Sequence, residues 1–174
     1  MPKLVDHITF KTEILRKVYP IFIEKGYLSV TMRDLASSLG ISTGSLYHYF
    51  ETKEQLFDSM VYFVVEEDTS ELEGQWKSDE KEEMEILIQY LENKSTHFQS
   101  LLVLALDISR EEALHHKFNS LIKDSVQKFE RILEERFPDT GAPLLSFIIG
   151  ELYKNLIVNH PIRWNKSLRG FLSK

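Results

Sequence analysis

Thr31-Met32-Arg33-Asp34-Leu35-Ala36-Ser37-Ser38-Leu39-Gly40-Ile41-Ser42-Thr43-Gly44-Ser45-Leu46-Tyr47-His48-Tyr49 is the stretch on which the fold turns. Its apolar residues recur at helical spacing on both sides of Gly40. Leu35, Leu39, Ile41, Leu46 and Tyr49 share the face that packs inward, and Ala36 lies where two helices cross. Thr43, Gly44, Ser45 and His48 are left pointing outward. A second helix with so small and polar an outer side can enter a major groove, because bulkier side chains would hold its backbone away from the base edges. The pattern is that of a DNA-reading helix-turn-helix.

Local chemistry bounds the helices. Thr31 and Asp34 have capping-box spacing, with a carboxylate in the first turn where the helix dipole favours it. Gly40 supplies a left-handed residue to stop the first helix, and Ser42 is a natural N-cap for the second. Thr52 and Gln55 repeat the box for the helix that follows.

These residues carry a family resemblance. Phe22-Ile23-Glu24-Lys25-Gly26-Tyr27, Thr31 to Ala36, Gly40-Ile41-Ser42, Ser45-Leu46-Tyr47-His48-Tyr49-Phe50 and Lys53 together resemble the DNA-binding domain of the tetracycline-repressor (TetR) family. The resemblance covers roughly the first third of the chain. It implies an all-α fold, with a three-helix DNA-binding domain at residues 1–52 and a helical regulatory and dimerisation domain at 53–174. It further implies a cytoplasmic homodimeric repressor, without cofactor or catalytic activity, that binds a palindromic duplex and is released by a small-molecule effector. Tyr47 and Lys53 match family positions that bind phosphates. With the outward face they make the expected DNA contacts Thr31, Arg33, Ser42, Thr43, Gly44, Ser45, Tyr47, His48, Tyr49 and Lys53. Tyr49 reads as core first and phosphate contact second, while Arg33 either touches phosphate or covers the adjacent helix. Pro20, inside the first expected helix, and the bulky pair Val18-Tyr19 depart from the family pattern; the proline is expected to kink its helix.

Charge follows the same division. The net charge is −6, but residues 1–56 hold seven Lys and Arg against six Asp and Glu, so the acidity belongs to the remainder. A near-neutral head can approach phosphate; the acidic body either avoids it or serves only solubility. The longest apolar run, Leu101 to Leu106, falls far short of the roughly 20 residues that span a bilayer, so no membrane partner is expected. Asp6, His7 and Lys11 interrupt any signal-peptide core, and there is no cysteine for a disulfide or thiolate site.

Beyond Lys53 the chain reads as helix throughout. Leu56, Phe57, Met60, Val61 and Val64 form a stripe expected to fade at Glu66-Glu67-Asp68, with an end near Gly74. Ser78 to Asn93 follows with Met84, Leu87, Ile88 and Leu91 inward, then the apolar Phe98 to Leu106, expected to be buried centrally. Ser109 with Glu112 is expected to cap a helix whose stripe is Leu114, Phe118, Leu121, Ile122, Ser125, Phe129, Ile132 and Leu133, broken at Pro138 to Pro143. Leu144 to His160 carries more apolar residues than one packed face uses. In the family resembled, late helices of two subunits form a four-helix bundle, so Leu145, Ile149, Leu152 and Leu156 are the expected dimer interface. The tail after Pro161 reads as short, as in a piece of a longer chain. Large or polar-tipped residues on inward stripes, namely Tyr62, Trp76, Tyr90, Phe98, Leu102, His115 and Phe118, are the expected effector-pocket lining, each also readable as plain core.

The sequence leaves two other classes open. Glu112 and His115 have the E-x-x-H spacing of di-iron bundles, but those need a second copy, which this chain lacks. His115 and His116 read instead as surface or pocket histidines, and no metal is expected. A helix-turn-helix that binds protein is the third reading, separable by DNA-binding measurements.

Overall fold

The computed structural model describes residues 3–76, 80–159 and 161–172. Among them are eight α-helices and no strand: α1 (Lys3–Lys25), α2 (Met32–Leu39), α3 (Thr43–Tyr49), α4 (Lys53–Gln75), α5 (Glu80–Arg110), α6 (Glu112–Arg136), α7 (Gly141–Val158) and α8 (Trp164–Leu172). The chain is all-α, as the periodicity predicts. The expected helix limits at Ser78 and His160 lie outside the described residues.

The caps form at the expected places. The Thr31 hydroxyl accepts from the Asp34 N–H at 3.2 Å, and the Thr31 N–H donates to the Asp34 carboxylate at 3.0 Å. Gly40 ends α2 at φ 69°, a backbone conformation that a side chain would strain. Ser42 accepts from the Ser45 N–H at 3.0 Å. Thr52 accepts from the Gln55 N–H at 3.0 Å, but the Gln55 carbonyl reaches one residue further back than expected, to the Glu51 N–H at 2.7 Å. α1 runs on through Pro20, which sits at an exposed position while Val18 and Phe22 on either side are buried.

Two compact units divide the chain: residues 1–67 with 104–121, and residues 68–103 with 122–174. The first takes in the start of α4 and the α5–α6 corner besides the expected 1–52. Its buried residues include Leu35, Ala36 and Leu46 of the helix-turn-helix and Phe22, Phe57 and Phe118. Tyr27, Phe57 and Phe118 meet edge-on or tilted, each centroid pair 5.0 Å apart, so the α1–α2 turn and α4 share one aromatic cluster with α6.

The second unit buries Leu72, Leu87, Ile88, Leu91, Ile132, Leu133, Leu144 and Ile148 together. Here the stripe of α4 does not fade. Asp68 is buried because three partners satisfy it: the Tyr90 hydroxyl donates to its carbonyl at 2.8 Å, and Lys94 and His97 meet its carboxylate at 3.2 and 2.6 Å. α5 is one helix of 31 residues, since nothing between Asn93 and Phe98 breaks it. Ser109 lies inside it, donating to the Ala105 carbonyl at 2.8 Å, and does not cap α6. The Phe98 to Leu106 segment is also less buried than expected, with Val103 and Leu106 exposed. After Pro161 the chain forms α8, whose Trp164 and Leu168 are buried and whose indole N–H donates to Ser95 at 2.7 Å. α7 is long and apolar enough to cross a bilayer by composition, which a search for apolar runs misses because Glu151 and Lys154 interrupt it; Leu144, Leu145, Ile148 and Leu152 are buried in this unit's core.

Candidate nucleic-acid interface

α2 packs on both α1 and α3, which turns the outer side of α3 to solvent. Gly44, Ser45, Tyr47 and His48 are exposed there, Thr43 is half-buried and Arg33 is exposed at the start of α2. The glycine keeps the middle of this surface open: its Cβ position faces nothing nearer than the Ser42 hydroxyl at 3.9 Å. Thr31 and Ser42 are exposed too, but their hydroxyls are engaged in the caps, where they fix where α2 and α3 begin.

Lys53 is placed differently from a free surface cation. Its ammonium donates to the carbonyls of Tyr27 at 3.0 Å and Val30 at 2.8 Å and lies 4.2 Å over the Tyr27 ring. Burial lowers its pKa. Two of its three donors therefore hold the start of α4 to the turn before α2, and one remains for any phosphate. Next to it, the Glu54 carboxylate accepts from the Tyr27 hydroxyl at 3.1 Å and pairs with Lys117 at 2.9 Å. The Lys117 ammonium, above all, draws the Glu54 pKa down to about 2. Burial, and then Glu54, push the Tyr27 phenol up.

One neighbour of the reading helix was not legible in the sequence. His7, exposed on α1, lies 4.5 Å from the Tyr49 ring and 5.9 Å from the His48 ring, centroid to centroid. Phe10 also packs on Tyr49, with centroids 5.1 Å apart. Tyr49 is accordingly half-buried against α1 side chains, as its inward position predicts.

The expected pocket lining is divided between the two units. Tyr62, His115 and Phe118 belong to the first unit, where Tyr62 and His115 are exposed and Phe118 is core. Trp76, Tyr90, Phe98 and Leu102 belong to the second. Tyr90 is buried with its hydroxyl engaged; Trp76, Phe98 and Leu102 are half-buried against the core, and the Trp76 indole N–H is buried without a partner. An open cavity of about 400 Å³ in the first unit is lined by Lys25 to Ser29 and by Asp107, Ile108, Arg110, Glu111 and Leu114, none of them among the seven. Glu112, His115 and His116 are all exposed. Of the expected dimer residues, Leu145 and Leu152 are taken up by the chain's own core, Ile149 is half-buried and Leu156 exposed.

Comparison with known proteins places this geometry. Residues 14–60 match the family described as bacterial regulatory proteins, tetR family. The transcriptional repressor KstR2 of Rhodococcus jostii is 41% identical over 51 residues, which are 29% of this chain and 25% of that protein. The chain thus matches about a quarter of that relative's length, and the sequence likeness falls on the helix-turn-helix. Likeness of fold extends further: a putative transcriptional regulator, SCO7518 of Streptomyces coelicolor, superposes at a TM-score of 0.74 with 21% identity, over 92% of this chain and 95% of that one. Salmonella enterica GusR gives 0.71 with 17% identity, over 99% and 96%.

Proposed function

We propose that the chain is a transcriptional regulator of the TetR family, which the match over residues 14–60 supports, and that it represses transcription as a cytoplasmic homodimer bound to a palindromic duplex. One observation carries the reading: the exposed side of α3 is glycine, serine and histidine with Tyr47 beside them, presented between two formed caps. Gly44, Ser45 and His48 are assigned to base edges, with Thr43 at their margin. Tyr47 and Arg33 are assigned to phosphates, which position the head without reading sequence. Thr31 and Ser42 set the two helices in place, and Lys53 holds the head together while offering phosphate its third donor.

A small molecule acting through the helical body would release the duplex, as the resemblance implies. Its seat is proposed in the second unit, where Trp76, Phe98 and Leu102 are half-buried and the orphan indole N–H offers one polar handle.

Gly44→Glu tests the reading. It adds bulk and negative charge where a groove flanked by phosphates should lie. Titration against a duplex selected from a random library should show specific binding lost while the melting temperature holds. Unchanged affinity would remove α3 from the interface.

A further inference from the structure

We propose that His7 extends the DNA-contacting surface beyond the helix-turn-helix, and that with His48 it links duplex binding to proton uptake. The proposal rests on α3 being the reading helix. His7 lies about 40 residues before α3 in sequence, yet Tyr49 seats its ring, and its centroid stands 5.9 Å from that of His48. Both imidazoles are exposed. Phe10, also on α1, packs on the same Tyr49 ring at 5.1 Å, so aromatic contacts hold this part of α1 beside the end of α3.

The placement has an electrostatic consequence. Where α3 lies in a major groove, a side chain at the edge of its exposed face meets the sugar-phosphate wall. An imidazole is the side chain whose charge changes near neutral pH, and a nearby phosphate favours its protonated form. The groups facing His7 are His48 and Tyr49 of α3 and, one turn on along α1, Lys11, which lies 5.0 Å over the Phe50 ring. The duplex supplies anions that favour a charged imidazole at this edge. Bound protein therefore takes up more protons than free protein, and affinity rises as pH falls.

The test is full-length protein titrated with a labelled mixed-sequence duplex of about 30 base pairs, long enough for two half-sites a turn apart, at fixed ionic strength across pH 6 to 8. A phosphate contact acts on any sequence, so no operator is needed. Wild-type affinity should rise about three- to tenfold from pH 8 to pH 6, a one-unit shift in one imidazole being worth up to tenfold. His7→Gln should lose a large part of that rise and bind less tightly at pH 6. His7→Lys, permanently charged, should bind more tightly than wild type at pH 8, recovering the share of the gain that His7 carries, and respond less to pH. His48→Gln should remove the remainder. If His7→Gln keeps both the wild-type affinity and the wild-type pH response while Gly44→Glu abolishes binding, His7 is outside the interface and the proposal fails alone. If Gly44→Glu binds as wild type does, the assignment of α3 fails first. Thermal melting followed by circular dichroism separates loss of binding from loss of fold.

Discussion

Single side chains decide how the head is held to the rest of its unit. Glu54 takes a hydrogen bond from Tyr27 and an ion pair from Lys117, so α4, the α1–α2 turn and α6 meet at one carboxylate. Its folded pKa of about 2 lies below the ordinary 4.5. A depressed carboxylate adds stability that is present above the unfolded value and is lost as pH falls through the folded one. Unfolding followed by circular dichroism should therefore show wild type losing stability between about pH 5 and pH 2, with Glu54→Gln losing less over the same interval. Parallel curves for the two proteins would show that Glu54 carries no proton linkage. Part of the effect is screened by solvent, since a third of this side chain is exposed, so the difference will be modest.

At the scale of the element, α7 shows how a helix starts without the usual cap. Thr140 makes no side-chain bond to the first turn. Glu134, near the end of α6, supplies the acceptors: its carboxylate takes the Asp139 N–H at 2.6 Å and the Gly141 N–H at 2.7 Å. The carboxylate also meets the positive end of the α7 dipole. The close approach leaves no room at Gly141, where a Cβ would stand 2.5 Å from the Glu134 backbone nitrogen. Gly141→Ala must push backbone aside and should destabilise by about 1–3 kcal/mol, the usual range for an overpacked site. A denaturant midpoint equal to wild type's would show that the α6–α7 turn yields freely. Gly44 is the contrast, because its Cβ position is open and a side chain there meets no packing obstacle.

For the whole molecule the open question is assembly. α7 buries Leu144, Leu145, Ile148 and Leu152 on one side, while Ile149, Tyr153, Leu156 and Ile157, at spacings of four, three and one, share the adjoining side. Tyr153, Leu156 and Ile157 are 47%, 40% and 63% exposed. An apolar strip of this kind beside a filled core fits a second copy of the chain better than water. Replacing Ile149 and Leu156 with Glu would bury charge against that copy at several kcal/mol for each uncompensated group. Sedimentation should show wild-type dimers and mutant monomers, the mutant still helical and much weaker on a palindrome because each half-site binds alone. A double mutant that stays dimeric would move the interface elsewhere.

The sequence by itself determined the helix-turn-helix, because each of its signals is local. A hydroxyl three residues before an acceptor, a glycine where the chain needs φ above zero and an apolar residue every three or four positions act within one or two turns, and they recur in the structure at Thr31, Gly40, Ser42, Leu35 and Leu46. It determined the all-α class on the same ground. Only the tertiary structure decided which apolar residues of α7 the chain keeps for itself, since Leu145 and Leu156 look alike in a stripe and differ only in what packs against them. It alone buried Asp68, by bringing Lys94 and His97 from α5 to a carboxylate that reads as surface. It alone showed Trp164 anchoring α8 through an indole bond to Ser95 of α5, a partner 69 positions away. The same holds for His7 and Lys53: an imidazole on α1 becomes a neighbour of the reading helix, and a lysine becomes a clasp on Tyr27 and Val30, through contacts between residues 20 or more positions apart. Spacing along one helix cannot encode such contacts, because they depend on how separate helices cross and not on the turn each residue occupies.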